Sequence, residues 1–288
     1  MKVQIIQVPY DSGQRNVRMG AGPIHFVQNG VLETLLAQGH DAQVEIIEAS
    51  SLFRAEIKTA FELCRLLAER VREARAEGRF PLVLSGNCNS SLGTLAGLGP
   101  ADLGMIWFDA HGDFNTPETR ESSFFDGMGM AVATGHCWKK LAATIPGFGP
   151  LPDAHVIHVG GRDFDPEEGE LLERSGIAVV RAERIRQTSV RAALGPTLES
   201  LSSRVRKLYL HIDLDVLDPA ATPANEYAAR VPGGLTVEQI AEAIQLIGER
   251  FTICASGIAS YDPKYDEKGQ TFAAGVRIIK SLLATNNS

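Results

Sequence analysis

An α/β fold with a mainly parallel sheet covered by helices on both faces is predicted by three features of the sequence. Short, largely apolar runs of strand length recur along the chain, amphipathic helical patterns alternate with them, and polar residues gather where the runs stop. The runs are Val3 to Val8, Pro81 to Leu84, Leu103 to Phe108, Ala154 to Val159, Leu208 to Ile212 and Phe251 to Cys254. A strand buried on both faces reads as near-continuous hydrophobicity rather than strict alternation, and the runs do so apart from isolated polar residues such as Gln4, Gln7, His158, His211 and Thr252. The clearest helical pattern spans Arg54 to Glu77, where Ile57, Ala60, Phe61, Cys64, Leu67, Ala68 and Val71 recur at three- and four-residue spacing opposite a charged face. Another opens at Thr236 with Gln239 three residues on, a capping-box pattern, and is expected to bury Val237, Ile240, Ile244 and Ile247. In such sheets ligands bind beyond the carboxyl ends of the strands, which is where the chemistry should lie.

The chain of 288 residues carries no internal repeat, low-complexity tract or linker, so a single domain over 1–288 is expected. A composition of 44% hydrophobic and 22% charged residues fits a packed globule and excludes a disordered or fibrous chain. The net charge of −7 argues against nucleic acid and anionic membranes as partners, since their binders carry a basic excess. The start, Met1-Lys2-Val3-Gln4-Ile5-Ile6, is too short an apolar stretch for a signal peptide, and no run approaches the roughly 18 residues of a membrane span. A cytoplasmic location is therefore expected. Cys64, Cys88, Cys137 and Cys254 have no paired spacing, which speaks against a disulfide framework and leaves at least three as buried thiols.

Two strand ends concentrate carboxylates. Leu103 to Phe108 runs into Asp109-Ala110-His111-Gly112-Asp113, and in extended chain Asp109, His111 and Asp113 would share one face. Tyr209 to Ile212 runs into Asp213-Leu214-Asp215, where the spacing of two again puts both carboxylates on one side. If the two ends are neighbours, four carboxylates and an imidazole meet at the edge of a dry core. Desolvation and mutual repulsion would raise all four pKa values unless cations compensate, and two divalent ions supply the balance. Hard oxygen with one imidazole suits Mn²⁺ better than Mg²⁺, Fe²⁺ or Zn²⁺. His25, His40, His136, His155, His158 and His211 lack such company and read as surface or satisfied core histidines.

Five segments, in order, resemble the ureohydrolase superfamily of arginases, agmatinases and formiminoglutamases. They are Pro9 to Gly13 with Gly20 to Pro23, then Asp109 to Pro117, Gly161 to Asp165, Asp213 to Pro219, and Thr222 to Ala224 with Pro232 to Thr236. The resemblance implies a three-layer α/β/α sandwich, assembly into homo-oligomers, and a small guanidino or amidino substrate hydrolysed at two Mn²⁺ ions. It makes Asp109 and Asp213 bridging ligands, gives Asp113 to the first metal, and gives His111 and Asp215 to the second.

Several positions depart from that pattern. Cys88, in Gly86-Asn87-Cys88-Asn89-Ser90, stands where the family has a histidine ligand of the first metal. A thiolate there would tilt the metal toward Zn²⁺ or Fe²⁺, and the alternative is an inert thiol under a loop. Asp126 stands where arginases keep a histidine that moves protons, and Ser260 where the family's glutamate grips the guanidinium. Asn115 and Ser122, which hold the amino-acid end of the substrate in arginases, are kept, but the companion asparagine is Phe124. Asp165 sits where the family meets the substrate ammonium, with Glu168 close behind. Asp113 and Asp126 are the two groups that could protonate the leaving nitrogen. The first reading is thus a metal-dependent C–N hydrolase of a modified guanidino compound, such as N-hydroxyarginine, or of an amidine. The second is a non-catalytic or regulatory relative with one structural metal or none, and the third an amide or imine hydrolase of deacetylase type.

Overall fold

The computed structural model describes residues 1–50, 55–119, 124–228 and 231–286. Its strands in chain order are β1 (Lys2–Val8), β2 (Tyr10–Asp11), β3 (Gln14–Arg15), β4 (Asp41–Ile46), β5 (Phe80–Ser85), β6 (Leu103–Phe108), β7 (Val156–Val159), β8 (Ala178–Val180), β9 (Lys207–Asp213) and β10 (Thr252–Ala259). β2 and β3 form a small antiparallel ribbon, and the other eight form one sheet in the order β4-β1-β5-β10-β9-β6-β7-β8. Every pairing within that sheet is parallel.

All six apolar runs are strands. The run at Ala154 starts late, because Asp153–His155 is a helical turn and the strand begins at Val156. Phe251 precedes β10, which continues past Cys254 to Ala259 through Ser256 and Gly257, polar and small residues that hide a buried strand end. The two edge strands β4 and β8 escaped the pattern for physical reasons. β4 is solvated along one edge and mixes Asp41, Gln43 and Glu45 with its apolar residues, and β8 has three residues. Both are positions where a strand need not be continuously apolar.

Helices cover both faces. Alternate side chains of β6 divide between the layers: Ile106 and Phe108 join one core, Met105 and Trp107 the other. The first core is closed by the helices Gly22–Gln28, Val31–Ala37, Val190–Ser202, Val237–Gly248 and Gln270–Thr285, and the second by Glu56–Ala76, Ser91–Leu98 and Gly129–Ala133. The expected first helix runs over Glu56–Ala76 and buries the anticipated stripe apart from Ile57, which is half-buried; Arg54 lies outside the described residues. The capping box is present: Gln239 N donates to Thr236 Oγ1 at 3.2 Å and Thr236 N donates to Gln239 Oε1 at 2.9 Å. Ile240, Ile244 and Ile247 are buried as expected, whereas Val237 in the first turn is only half-buried.

β5, β10, β9 and β6 are adjacent at the middle of the sheet, so the segments leaving their carboxyl ends converge. Because the Thr236 cap satisfies otherwise unpaired amides, Thr236→Ala should cost about 1 kcal/mol in urea denaturation while Thr236→Ser is near neutral.

Candidate metal centre

Each of the four central strands contributes to one cluster. Cys88 follows β5 in the turn Cys88–Ser90, Asp109 to Asp113 follow β6, Asp213 closes β9 with Asp215 two residues on, and Ser260 follows β10. The chain is not extended through these segments, so strand alternation is not what gathers their side chains. Beyond Phe108 it forms a loop, and Asp113 turns inward with a left-handed φ of 48°. Asp215 lies in the helical turn Leu214–Val216, its N donating to Asp213 Oδ1 at 2.8 Å. The spacing selects the right carboxylates, but tight turns bring them together. Ser260 is also left-handed, at φ 64°, a conformation that costs a non-glycine residue on the order of 1 kcal/mol.

The two carboxylate-bearing ends are tied directly. Ala110 N donates to Asp215 Oδ1 at 3.2 Å, His111 Nδ1 lies 3.2 Å from Asp215 Oδ2, and His111 N donates to Asp109 Oδ1 at 2.7 Å. Trp107 Nε1 donates to Asp109 Oδ2 at 3.0 Å. The Cys88 thiol donates to Asp213 Oδ2 at 2.9 Å and its sulfur lies 3.4 Å from Ser260 Oγ. Among the described residues, two groups have donor atoms within 4.8 Å of one another, Asp109 with His111 and Asp215, and Cys88 with Asp109 and His211. Asp109 belongs to both.

His211 therefore corrects the expectation of a satisfied core histidine. It stands two residues before Asp213 on the same face of β9, a spacing that was available in the sequence, and across the sheet it is in register with Trp107. Its Nδ1 lies 2.9 Å from Ser91 Oγ, while Nε2 is buried without a hydrogen-bond partner among the described residues. His158 is the buried histidine that does fit that expectation in part, its Nε2 donating to the His111 carbonyl at 2.6 Å.

A cavity of about 260 Å³ opens over the cluster, with Cys88, His111, Asp113, Asp126, Asp213, Asp215 and Ser260 in its lining. Phe124 and Tyr227, with ring centroids 5.9 Å apart, form an aromatic part of the wall, and Asp163, which the sequence reading left without a role, lines it too. Asp165 and Glu168 reach the cavity, but the Glu168 carboxylate is engaged by Phe114 N at 2.9 Å and Asp165 N at 3.2 Å. Gly112 permits this approach, since a Cβ there would stand 2.6 Å from the Glu168 carboxyl carbon. Asn115 sits behind Asp165, to which its Nδ2 donates at 3.0 Å, and is not among the cavity-lining residues. Ser122 lies outside the described residues.

The electrostatics bear the mark of crowding. Burial first, and then the charge of Asp215, push Asp109 up to about 6. Burial with Asp109, Asp126 and Asp213 holds Asp113 well above the usual carboxylate range, and burial with Asp215 and Asp109 does the same to Asp213. Burial also raises the Cys88 thiol, seconded by Asp213. Asp215 is the exception: burial opposes its ionisation, but His111 and the Arg162 guanidinium outweigh it and lower its pKa, while Asp215 and Asp109 in turn raise His111 against burial. Arg162 is anchored behind the cluster, donating to the carbonyls of Asp215 at 2.7 Å and Val231 at 3.0 Å. Asp126 is pushed up to about 8, chiefly by burial. Burial pushes His211 down to about 3 and so keeps its imidazole neutral, the form that ligates metals. Asp113 Oδ2, like His211 Nε2, is buried without a hydrogen-bond partner among the described residues. Orphaned acceptors beside carboxylates that cannot all ionise are what a divalent cation would satisfy.

The arginase family model matches residues 1–284. An arginase of Bacillus caldovelox is 31% identical over 293 residues, covering 97% of this chain and 97% of that protein, and an arginase of Bacillus subtilis is 31% identical over 295 residues, 98% and 97% of the two chains. Among solved structures, the arginase from Bacillus cereus superposes with a TM-score of 0.87 at 30% identity and covers 98% of each chain.

Stability of the metal-stripped protein should fall as pH rises from 7.5 to 8.5. In that window the lowered imidazoles His158 and His211 have deprotonated in both folded and unfolded chains, whereas Asp126, Asp113 and Asp213 keep protons that unfolded carboxylates, titrating near 4, have released. The raised His111 acts in the same direction. Thermal unfolding in a chelator should show this decline and excess Mn²⁺ should abolish it; a chelated protein equally stable at both ends of the window would contradict the assignment.

Proposed function

Because the chain belongs to the arginase family, we propose that it hydrolyses a C–N bond of a guanidino or amidino compound, with two divalent cations held by the carboxylate cluster. The observation that carries this reading is the meeting of Asp109, His111, Asp113, Asp213 and Asp215 beneath one cavity, with Asp113 Oδ2 left unpartnered among the described residues. Asp109 and Asp213 would be shared between the cations, Asp113 would serve the first, and His111 and Asp215 the second, whose oxygen-rich set favours Mn²⁺. When bound, the cations supply Lewis acidity and a water acidic enough to act as nucleophile near neutral pH.

The remaining work falls to the chain. Departure of the cleaved nitrogen needs a proton, and Asp126 is suited to hold it. Asn87 Nδ2 donates to its Oδ2 at 2.6 Å and Asn89 N to its Oδ1 at 3.0 Å, which fixes the carboxyl in the cavity wall. With its pKa raised to about 8, it keeps a proton at neutral pH that an ordinary aspartate would have lost. Asp113 is the alternative donor. Ser260 offers a hydroxyl where a guanidinium would call for a carboxylate, so the site favours a substrate less basic than arginine, while Phe124 replaces one polar grip on its amino-acid end. N-hydroxyarginine meets that description, with Asp163 and Asp165 as the anions available to its ammonium.

The test is a panel of arginine, N-hydroxyarginine, agmatine and simple amidines with Mn²⁺-loaded protein. Release of urea, of hydroxyurea or, from the amidines, of ammonia is expected, greatest for the hydroxylated compound; silence across the panel with two metals bound would leave the chain a non-catalytic family member. Asp126→Asn should lower kcat by about 10²–10⁴-fold, the usual contribution of a general acid. It should also remove the loss of activity above about pH 8.

A further inference from the structure

Position 88 withholds the imidazole that the family pattern assigns to the first metal, yet an imidazole stands beside Cys88 from a different strand. We infer that His211 on β9 takes over as the nitrogen ligand, so that Cys88, Asp109 and His211 form a cation position of borderline softness, suited to Zn²⁺, Fe²⁺ or Co²⁺. The inference rests on the two-cation reading above.

The three donors lie within 4.8 Å of one another, and all three residues are buried. Of the two nitrogens of His211, Nδ1 is occupied by Ser91 Oγ at 2.9 Å, and Ser91 in turn lies 2.9 Å from the Tyr209 hydroxyl. A ring that donates its Nδ1 proton to Ser91 presents the Nε2 lone pair, and Nε2 is the buried atom with no hydrogen-bond partner among the described residues. This is the arrangement by which a metal-bound histidine is oriented: one nitrogen held by an outer partner, the other free for the ion.

The surroundings fix the ring further. Trp107 packs against it with ring centroids 3.8 Å apart while its Nε1 holds Asp109 Oδ2 at 3.0 Å, so one indole positions two of the three donors. Opposite, Gly257 makes room for the supporting hydroxyl: a Cβ there would stand 2.4 Å from Tyr209 OH. Thiolate sulfur and imidazole nitrogen give the first cation softer donors, beside its carboxylates, than the group of Asp109, His111 and Asp215 gives the second, and so favour softer cations there. The two positions share Asp109 but differ in donor chemistry, and should therefore differ in metal preference.

Titration of Co²⁺ alone into the chelator-treated full-length protein tests this without turnover. Two Co²⁺ per chain are expected, one giving the near-ultraviolet charge-transfer absorption of a thiolate ligand. Cys88→Ser should lose that absorption. His211→Ala should weaken binding at the thiolate position by more than the roughly 10–100-fold typical of outer-partner changes, and Ser91→Ala by about that amount. The double variant Cys88→His, His211→Ala returns the imidazole to the end of β5 and should recover the second cation without thiolate absorption, which separates a lost ligand from a lost fold. Undiminished thiolate absorption and affinity in His211→Ala, or no thiolate absorption in the parent, would overturn the inference. Two Co²⁺ with thiolate absorption but no hydrolysis by any loaded form would refute the hydrolase reading and leave this one standing. Hydrolysis with two cations in His211→Ala would do the reverse.

Discussion

Four carboxylates at the ends of two neighbouring strands impose the constraint on which the rest of the molecule depends. Asp109, Asp113, Asp213 and Asp215 are each under a tenth exposed, and they share a dry edge with a fifth, Asp126. Such charges cannot all ionise in a poorly solvated site. Among the described residues, His111 and the anchored Arg162 are the positive groups that act on them, and both are spent chiefly on Asp215. The other three remain pushed toward their protonated forms. A protein that places them together must therefore either carry protons or bind cations, and a centre for hydrolysis follows from the second choice.

The parallel sheet makes that concentration possible. β5, β10, β9 and β6 are adjacent, so one residue group from each reaches a common point above the carboxyl edge. Strand placement is set by apolar packing on both faces far from the site, while the acidic residues sit on short turns beyond the strand ends. The turns carry local strain, seen in the left-handed Asp113 and Ser260, and the packed layers below absorb it.

Much of this was legible in the sequence. The six inner strands announce themselves because burial on both faces leaves no room for polar alternation, and the acidic motifs stand out at the ends of two of them. What escaped recognition has physical causes. β4 and β8 are edges, where mixed or very short segments suffice. The role of Asn115 as a brace for Asp165 depends on a contact fifty residues away in the chain, which no local pattern encodes. His211 was legible in principle, two residues before Asp213 on one strand face, but its meaning depends on Cys88, which comes from β5 and meets it only across the sheet. The same carboxylates meet although the backbone turns at both sites rather than running extended, since a spacing of two residues also brings side chains together around a tight turn.

The central claim is that the acidic cluster holds two cations sharing Asp109. Anomalous diffraction from crystals of the full-length protein grown with saturating Mn²⁺ and Zn²⁺ measures it most directly. The account predicts two peaks per chain, one among Asp109, His111 and Asp215 and one beside Cys88 and His211. A single peak, or none, at full saturation would contradict it.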